Sequence, residues 1–292
     1  MSNTTSGNRY ISLTVVFILL SIIAGVTYVY LNSNRINQNT VMDNGSGQGS
    51  TLDKITSCSD NSEYLSIDEA LSVDPQTVCN ISLAGQSLES VPEEILQFPN
   101  IEKLSLHTNQ LTSIPESLEK LSNLKQIDLG ANRFSEFPVQ LLKIASLEII
   151  EIGFNELKSI PAEISGLTNL KLLAINKNNI TVLPESIVSL SKLEMLEASE
   201  NQLSSLPQNF GSLSNLNALF LHDNNLNSLP ASLANLGKLE NLGLKNNNLS
   251  EISSLVKPLA NLKVLSVSGN NFSADEIQNI KSSLPQDTDT DI

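Results

Sequence analysis

The chain has 292 residues and a net charge of -14, from 17 Lys+Arg against 31 Asp+Glu. Hydrophobic residues make up 40%, which excludes disorder throughout, and the scarcity of bases argues against nucleic acid as a partner. Two Cys and two His leave little material for a structural zinc site. Leu accounts for 48 residues while aromatics reach only 4%, a skew that points to an internal repeat.

Residues 1–10 read as a short cytoplasmic N-terminus. Residues 11–31, Ile11 to Leu31, carry no charge. As a helix they would span roughly 30 Å, the thickness of a bilayer hydrocarbon core. Tyr10 at one end and Tyr28 and Tyr30 at the other stand where a membrane-interface belt places them. A cleaved signal peptide has a shorter apolar run and a small-residue cleavage site. Ile23-Ala24-Gly25 is followed by Val26 and not by Cys, which rejects lipidation. The segment is therefore read as a retained single-pass signal anchor in the cell membrane.

Residues 32–57 are rich in Asn, Ser and Gly and form a flexible linker with a reach on the order of 28 Å. Cys58 and Cys79 follow. A Cys pair beside a secretory-type segment reads as a disulfide in an oxidising compartment, and a loop of that size would contribute roughly 3 kcal/mol. Both features place the C-terminal bulk outside the cytoplasm. Residues 58–77 form an N-terminal cap, with a short capped helix at Ser66 to Leu71.

From residue 78 to 272 the sequence is periodic. Asn stands at 109, 132, 155, 178, 201, 224, 247 and 270, each 23 residues from the last. Pro stands at 92, 115, 138, 161, 184, 207 and 230 with the same spacing. One unit reads Leu124-x-x-Ile127-x-Leu129-x-x-Asn132-x-Phe134-x-x-Phe137-Pro138-x-x-Leu141. Nine units start at Val78, Ile101, Leu124, Leu147, Leu170, Leu193, Leu216, Leu239 and Leu262. The first has Gln86 in the Asn place and the eighth has Ser253 in the Pro place.

This pattern resembles the leucine-rich repeat family, and its Leu-Pro-x-x-Leu tail is similar to the 23-residue subclass of bacterial surface and effector proteins and Ras-pathway scaffolds. The resemblance implies an α/β solenoid, a horseshoe with one parallel strand per unit on its concave side. Alternation sets the Leu side chains inward. The Asn amide is expected to bond loop backbone, and to tolerate a left-handed conformation where one is needed. Residues 273–285 read as a C-terminal cap helix opened by the capping box Ser273-Ala274-Asp275-Glu276. Residues 286–292 read as a solvated acidic tail.

Outward strand positions form the surface open to a ligand. Ile149, Leu172, Met195 and Ala218 make an apolar run in consecutive units. Ala174, Phe220 and Phe154 lie beside it, with Asp128, Glu151, Glu197, His222 and Asp223 around it. An apolar centre with a polar rim is the anatomy of a protein-binding surface, here for a protein or peptide with an apolar anchor and basic flanks. The solenoid itself is near neutral, with 13 bases and 16 acids in residues 101–272. His107 and His222 stand five units apart and cannot share a metal ion. No phosphate loop, paired-His motif or nucleophile elbow occurs, and no Cys follows Cys79.

The sequence therefore leads to a non-catalytic, cofactor-free recognition module held at the membrane by residues 11–31. A structural or adhesive surface protein, or a cytoplasm-facing signalling scaffold, is the alternative.

Overall fold

The computed structural model divides the chain into two units, Met1–Gly49 and Ser50–Ile292, and describes residues 62–292. The expected N-terminus, membrane segment, linker and Cys58 lie outside the described residues. Among the described residues no helix is long and apolar enough to cross a membrane.

One parallel sheet runs through the second unit. Its strands are β1 (Glu63–Tyr64), β2 (Asn80–Ser82), β3 (Lys103–Ser105), β4 (Gln126–Asp128), β5 (Ile149–Glu151), β6 (Leu172–Ala174), β7 (Met195–Glu197), β8 (Ala218–Phe220), β9 (Asn241–Gly243), β10 (Val264–Ser266) and β11 (Asp289–Thr290). They are hydrogen-bonded in chain order. From β2 to β10 every register pair is separated by 23 residues, so each outward column predicted by the repeat lies in line across the sheet. The inward residues Ile81, Leu104, Ile127, Ile150, Leu173, Leu196, Leu219, Leu242 and Leu265 form one continuous buried row. Their neighbours two positions on, such as Leu129 and Leu221, extend the same core.

The repeated Asn holds successive turns together. In Asn155 the amide Nδ2 donates to the carbonyls of Leu129, Ile152 and Gly153 at 3.0, 3.2 and 3.1 Å. Its Oδ1 accepts from the Phe134 N–H at 3.0 Å. One side chain thus satisfies backbone groups in its own turn and in the preceding one, where no regular ladder reaches them. The cross-repeat bonds recur at Asn109, Asn132, Asn178, Asn201, Asn224, Asn247 and Asn270. At the first unit the longer Gln86 donates to the Leu65 carbonyl at 2.8 Å instead.

The left-handed residue is not the Asn itself. It is the residue just before it: Thr108, Ala131, Phe154, Lys177, Glu200, Asp223 and Asn246 have φ between 51 and 57°, and Gly269 has φ 72°. The backbone turns left one position early so that the Asn side chain points into the core. Most of these residues are not Gly, and each carries the conformational cost of that region. At Gly269 the cost is absent, and a Cβ there would sit 2.2 Å from Asn246 Oδ1.

On the far side each unit closes with a short 3-10 turn. Pro92, Pro115, Pro138, Pro161, Pro184 and Pro230 stand at its start. Each Pro carbonyl accepts from the N–H three residues on, as in Leu118 to Pro115 at 3.1 Å. The ring fixes φ for this entry and loses no donor that the turn needs. The sixth unit differs: its turn is shorter, Phe210–Ser212. There Gly211 lets the next repeat approach so closely that a Cβ would lie 1.9 Å from the Ser232 carbonyl oxygen.

Both ends are closed more fully than the sequence suggests. At the N-terminal end helix α1 (Ile67–Leu71) begins at Ser66, whose hydroxyl accepts from the Glu69 N–H. Ahead of it β1 adds an unforeseen strand that covers the edge of β2. Cys79 is buried and is not a free thiol.

At the C-terminal end helix α2 (Ser253–Val256) replaces the Pro turn of the eighth unit, and α3 (Ala274–Ser283) follows the last unit. Ser273 caps α3 through the Glu276 N–H at 3.1 Å, as the capping box requires. The Glu276 carboxylate, however, reaches across to the start of α2. It accepts from the N–H groups of Ile252 and Ser253, both at 2.7 Å, and from the Ser253 hydroxyl at 3.0 Å. The departure from Pro at 253 is thereby explained: the cap needs an N–H that Pro lacks.

Residues 286–292 are not the expected solvated tail. They return to the sheet as β11, pairing Val264 with Asp289 and Leu265 with Thr290. Asp291 then accepts from the N–H groups of Val267 and Ser268 and from the hydroxyls of Ser266 and Ser268. In every earlier unit the N–H equivalent to Val267 donates to the next strand, as Leu244 does to the Ser266 carbonyl. The carboxylate stands in for the repeat that does not follow. Those bonds hold the Asp291 pKa down at about 2, against the desolvation that opposes them.

Two substitutions test this account by urea unfolding. Asn155→Ala strands buried backbone groups in two repeats and is expected to cost about 3 kcal/mol or more, whereas Asn179→Ala, at an exposed Asn of the next repeat, should cost under about 0.5 kcal/mol. Ser253→Pro restores the repeat pattern yet removes the donor to Glu276, and is expected to destabilise by about 2 kcal/mol; equal or higher stability would refute the role given to that N–H.

Candidate functional site

The outward columns lie side by side on β4 to β8, as the spacing requires. Exposure divides them sharply. Leu172, Ala174, Met195 and Ala218 are 7%, 8%, 3% and 0% exposed, although they point away from the core. In a column repeated at each strand, neighbouring side chains shield one another and a small residue disappears between larger ones. Ile149 and Phe220 are half-buried and Phe154 is exposed. The apolar run is therefore a continuous floor with access mainly at its Ile149 end, not an open patch.

Phe154 stands off the sheet because it occupies the left-handed turn position. The Lys177 ammonium lies 4.5 Å from its ring centroid, a cation–π distance, and also pairs with Glu200 at 3.2 Å. At the other end Phe220 stacks on His222 with centroids 6.1 Å apart. The His222 ring covers Gly243, where a Cβ would come within 2.2 Å of Nε2. His107 lies over Gly130 and Asn176 over Gly153 in the same way. Burial lowers the His222 pKa, against the pull of Asp223 and Asp291. Asp223 itself accepts from the Asn246 amide at 2.7 Å.

The acidic members of the face are the unusual ones. Asp128 and Glu151 face each other across β4 and β5; Glu197 lies two strands from Glu151, with Ala174 between them. Asp128 accepts from the Gly130 N–H and Glu197 from the Ser199 N–H, each at 2.9 Å. Glu151 receives only a 3.4 Å bond from the Gln126 amide. None of the three belongs to the ion pairs found among the described residues, which engage Glu102, Glu119, Glu148, Glu200 and Glu240. Desolvation raises all three pKa values. Glu151 is pushed up to about 7 by burial and then by Asp128, and Glu197 to about 7 by burial, with a smaller push from Glu200, against its Ser199 bonds.

Sequence reasoning located these carboxylates but missed their state. Their chemistry depends on the side chains packed beside them from other repeats. Among the described residues no group of three or more His, Cys, Asp or Glu is placed to hold a metal ion.

A leucine-rich repeat region model matches residues 161–286, and a leucine rich repeat model matches residues 77–134, together more than half of the chain. The chain belongs to the leucine-rich repeat family. A solved leucine-rich repeat protein of Leptospira interrogans is 35% identical, with a TM-score of 0.73 over 77% of this chain and 57% of that one. The ectodomain of the Arabidopsis thaliana membrane receptor kinase GASSHO1/SCHENGEN3, solved in complex with Casparian strip integrity factor 2, is 30% identical. It matches with a TM-score of 0.52 over 65% of this chain and 27% of that one. An internalin of Listeria monocytogenes shares the fold at 15% identity and a TM-score of 0.59, over 78% of this chain and 84% of that one. This leucine-rich repeat chain thus spans little more than half of the Leptospira protein and about a quarter of the plant ectodomain. No curated protein matches it by sequence.

The raised carboxylates give a stability prediction. The native state keeps a proton on Glu197 between about pH 4.5 and 7, where the unfolded chain has released it, so stability falls as pH rises through that window. Glu197→Gln removes that dependence. Urea unfolding should show the variant more stable by about 3 kcal/mol at pH 8 and close to the parent near pH 4.5.

Proposed function

We propose that this leucine-rich repeat chain is a membrane-anchored, extracytoplasmic recognition module that binds a protein or peptide on the outward face of its sheet and performs no catalysis. The observation that carries the reading is the division of labour on β4 to β8. The inward residues, the Asn row and the Pro turns are all occupied in holding the solenoid, while Asp128, Glu151 and Glu197 project from the opposite face and join none of the salt bridges among the described residues. Burial makes those carboxylates costly. The plant receptor ectodomain, which carries the same repeat and was solved with a bound factor, supports a binding role.

The anchor and the side of the membrane rest on the sequence. The uncharged run Ile11 to Leu31 supplies a segment long enough to span, and a Cys58–Cys79 disulfide supplies the compartment.

Protease added to intact cells, followed by photocrosslinking, tests the reading. The repeats should be digested without lysis. A crosslinker at Phe220 should capture a partner, and one at Val139, exposed on the opposite side of the repeat, should not. Digestion only after lysis would overturn the topology. Equal capture from both positions would favour an adhesive surface that engages its ligand without a focused site.

A further inference from the structure

The residue that enters each strand forms a column of its own along one edge of the sheet. From β3 to β10 it reads Glu102, Lys125, Glu148, Lys171, Glu194, Asn217, Glu240, Lys263. Acid and base alternate, and each Lys bonds the Glu one repeat before it. Lys125 meets Glu102 at 2.7 Å, Lys171 meets Glu148 at 2.7 Å and Lys263 meets Glu240 at 2.8 Å. The alternation fails once. Asn217 stands where a Lys is due, and Glu194 joins none of the ion pairs found among the described residues.

A cleft of about 390 Å³ opens at that break. Glu194, Asn217 and Glu240 line it, with Asn215, Lys238 and Asn261 beside them. Asn217 brings a second acceptor: its Oδ1 is withdrawn from solvent and meets no donor among the described residues. A buried polar atom without a partner is rare and calls for one.

We infer that this cleft is a seat for one primary ammonium, the side chain of a lysine in the protein or peptide that the module binds, held by the Glu194 carboxylate over Asn217. The inference rests on the recognition reading above and names one chemistry of the ligand. The molecule itself makes the same contact three times, with an ammonium on a Glu oxygen across one repeat boundary. Only at Asn217 must the ammonium come from another chain. The contact suits a compact point charge on a long stem, which is what lysine offers and a guanidinium does not. Asn217 immediately precedes Ala218 of β8, so the seat borders the outward face.

The neighbouring cations are committed elsewhere. Lys171 and Lys263 hold Glu148 and Glu240. Lys238 donates to Asn215 Oδ1 at 2.7 Å, and Lys192 to Asn169 Oδ1 at 2.8 Å. The amides of Asn215 and Asn261 donate to the carbonyls of Ser191 and Gly237 at 2.7 and 2.6 Å. These bonds fix the walls and leave the Glu194 carboxylate and Asn217 Oδ1 as the acceptors a ligand can take.

The test uses the full chain in detergent and the peptide acetyl-Gly-Lys-Gly-amide, with its acetyl-lysine twin as the uncharged control. Binding is read from NMR shifts of the Asn215 side-chain amide, which lines the cleft in every variant. The lysine peptide is expected to shift it, and the acetyl-lysine peptide is not. Glu194→Gln should weaken binding by about 10-fold or more, the loss of one charge-assisted contact. Asn217→Lys restores the alternation, a change that three other repeats already accommodate, and fills the seat with the chain's own ammonium. It should weaken binding as much. Glu163→Gln makes the same charge change as Glu194→Gln at an exposed site on the far side of the repeat and should leave binding unchanged. Equal binding of the acetyl-lysine peptide, or lysine binding that survives both Glu194→Gln and Asn217→Lys, would overturn the inference. Tighter binding of free n-butylamine than of the peptide would overturn the assignment to a lysine. A partner crosslinked at Phe220 whose capture is indifferent to both variants would also overturn the seat, while leaving the recognition reading in place.

Discussion

The structure depends on one recurring bond set: an Asn amide buried at the turn after each strand, shared between two adjacent repeats. Parallel strands of three residues form too few ladder bonds to fix a repeat by themselves. The turn that follows would leave backbone donors and acceptors stranded in an apolar interior. Each Asn closes that deficit on both sides of a repeat boundary, with its Nδ2 reaching carbonyls of its own and the preceding turn and its Oδ1 taking an N–H of the preceding one. An unmet buried backbone group costs about 1–3 kcal/mol, so each Asn, which meets several, is a substantial part of what holds its repeat boundary.

That requirement also imposes a cost. To aim the amide inward, the residue before it must adopt a left-handed backbone, and the chain accepts Thr, Ala, Phe, Lys, Glu, Asp and Asn there. The strained position always faces the same side, at the edge of the outward columns. Phe154 is the instructive case, because the turn that satisfies the core also lifts an aromatic ring clear of the sheet, where Lys177 covers it. The demands of the interior thus shape the rim of the binding face.

A stack of identical units has no intrinsic end, and its termini are resolved by substitution of chemistry for structure. Glu276 supplies the acceptor for α2 where the Pro turn is abandoned. Asp291 supplies the acceptors that a further strand would have provided, and β1 and β11 cover the two edges of the regular sheet. The negative charge concentrated toward the ends of the chain is in part this capping machinery: Glu276 and Asp291 hold backbone N–H groups and are not simply solvated. A sheet edge with unpaired donors invites association with another chain, and a carboxylate across it is an effective block.

The sequence by itself determined the repeat, its 23-residue period, all nine central strands and their mutual register, because the side-chain alternation admits one phase only. It also identified the departures at Gln86 and Ser253 and both capping helices. It could not reveal β1 or β11, since two-residue strands carry no periodic signal and exist only because an open edge awaits them. Nor could it reveal that Leu172, Met195, Ala174 and Ala218 are covered, or that Glu151 and Glu197 hold protons near neutral pH. Those properties depend on what stands one repeat away, 23 residues distant in the chain and about one strand spacing distant in the fold. Alternation along one strand decides which way a side chain points; only the packing of neighbouring strands decides how much water it keeps, and with it the charge it carries.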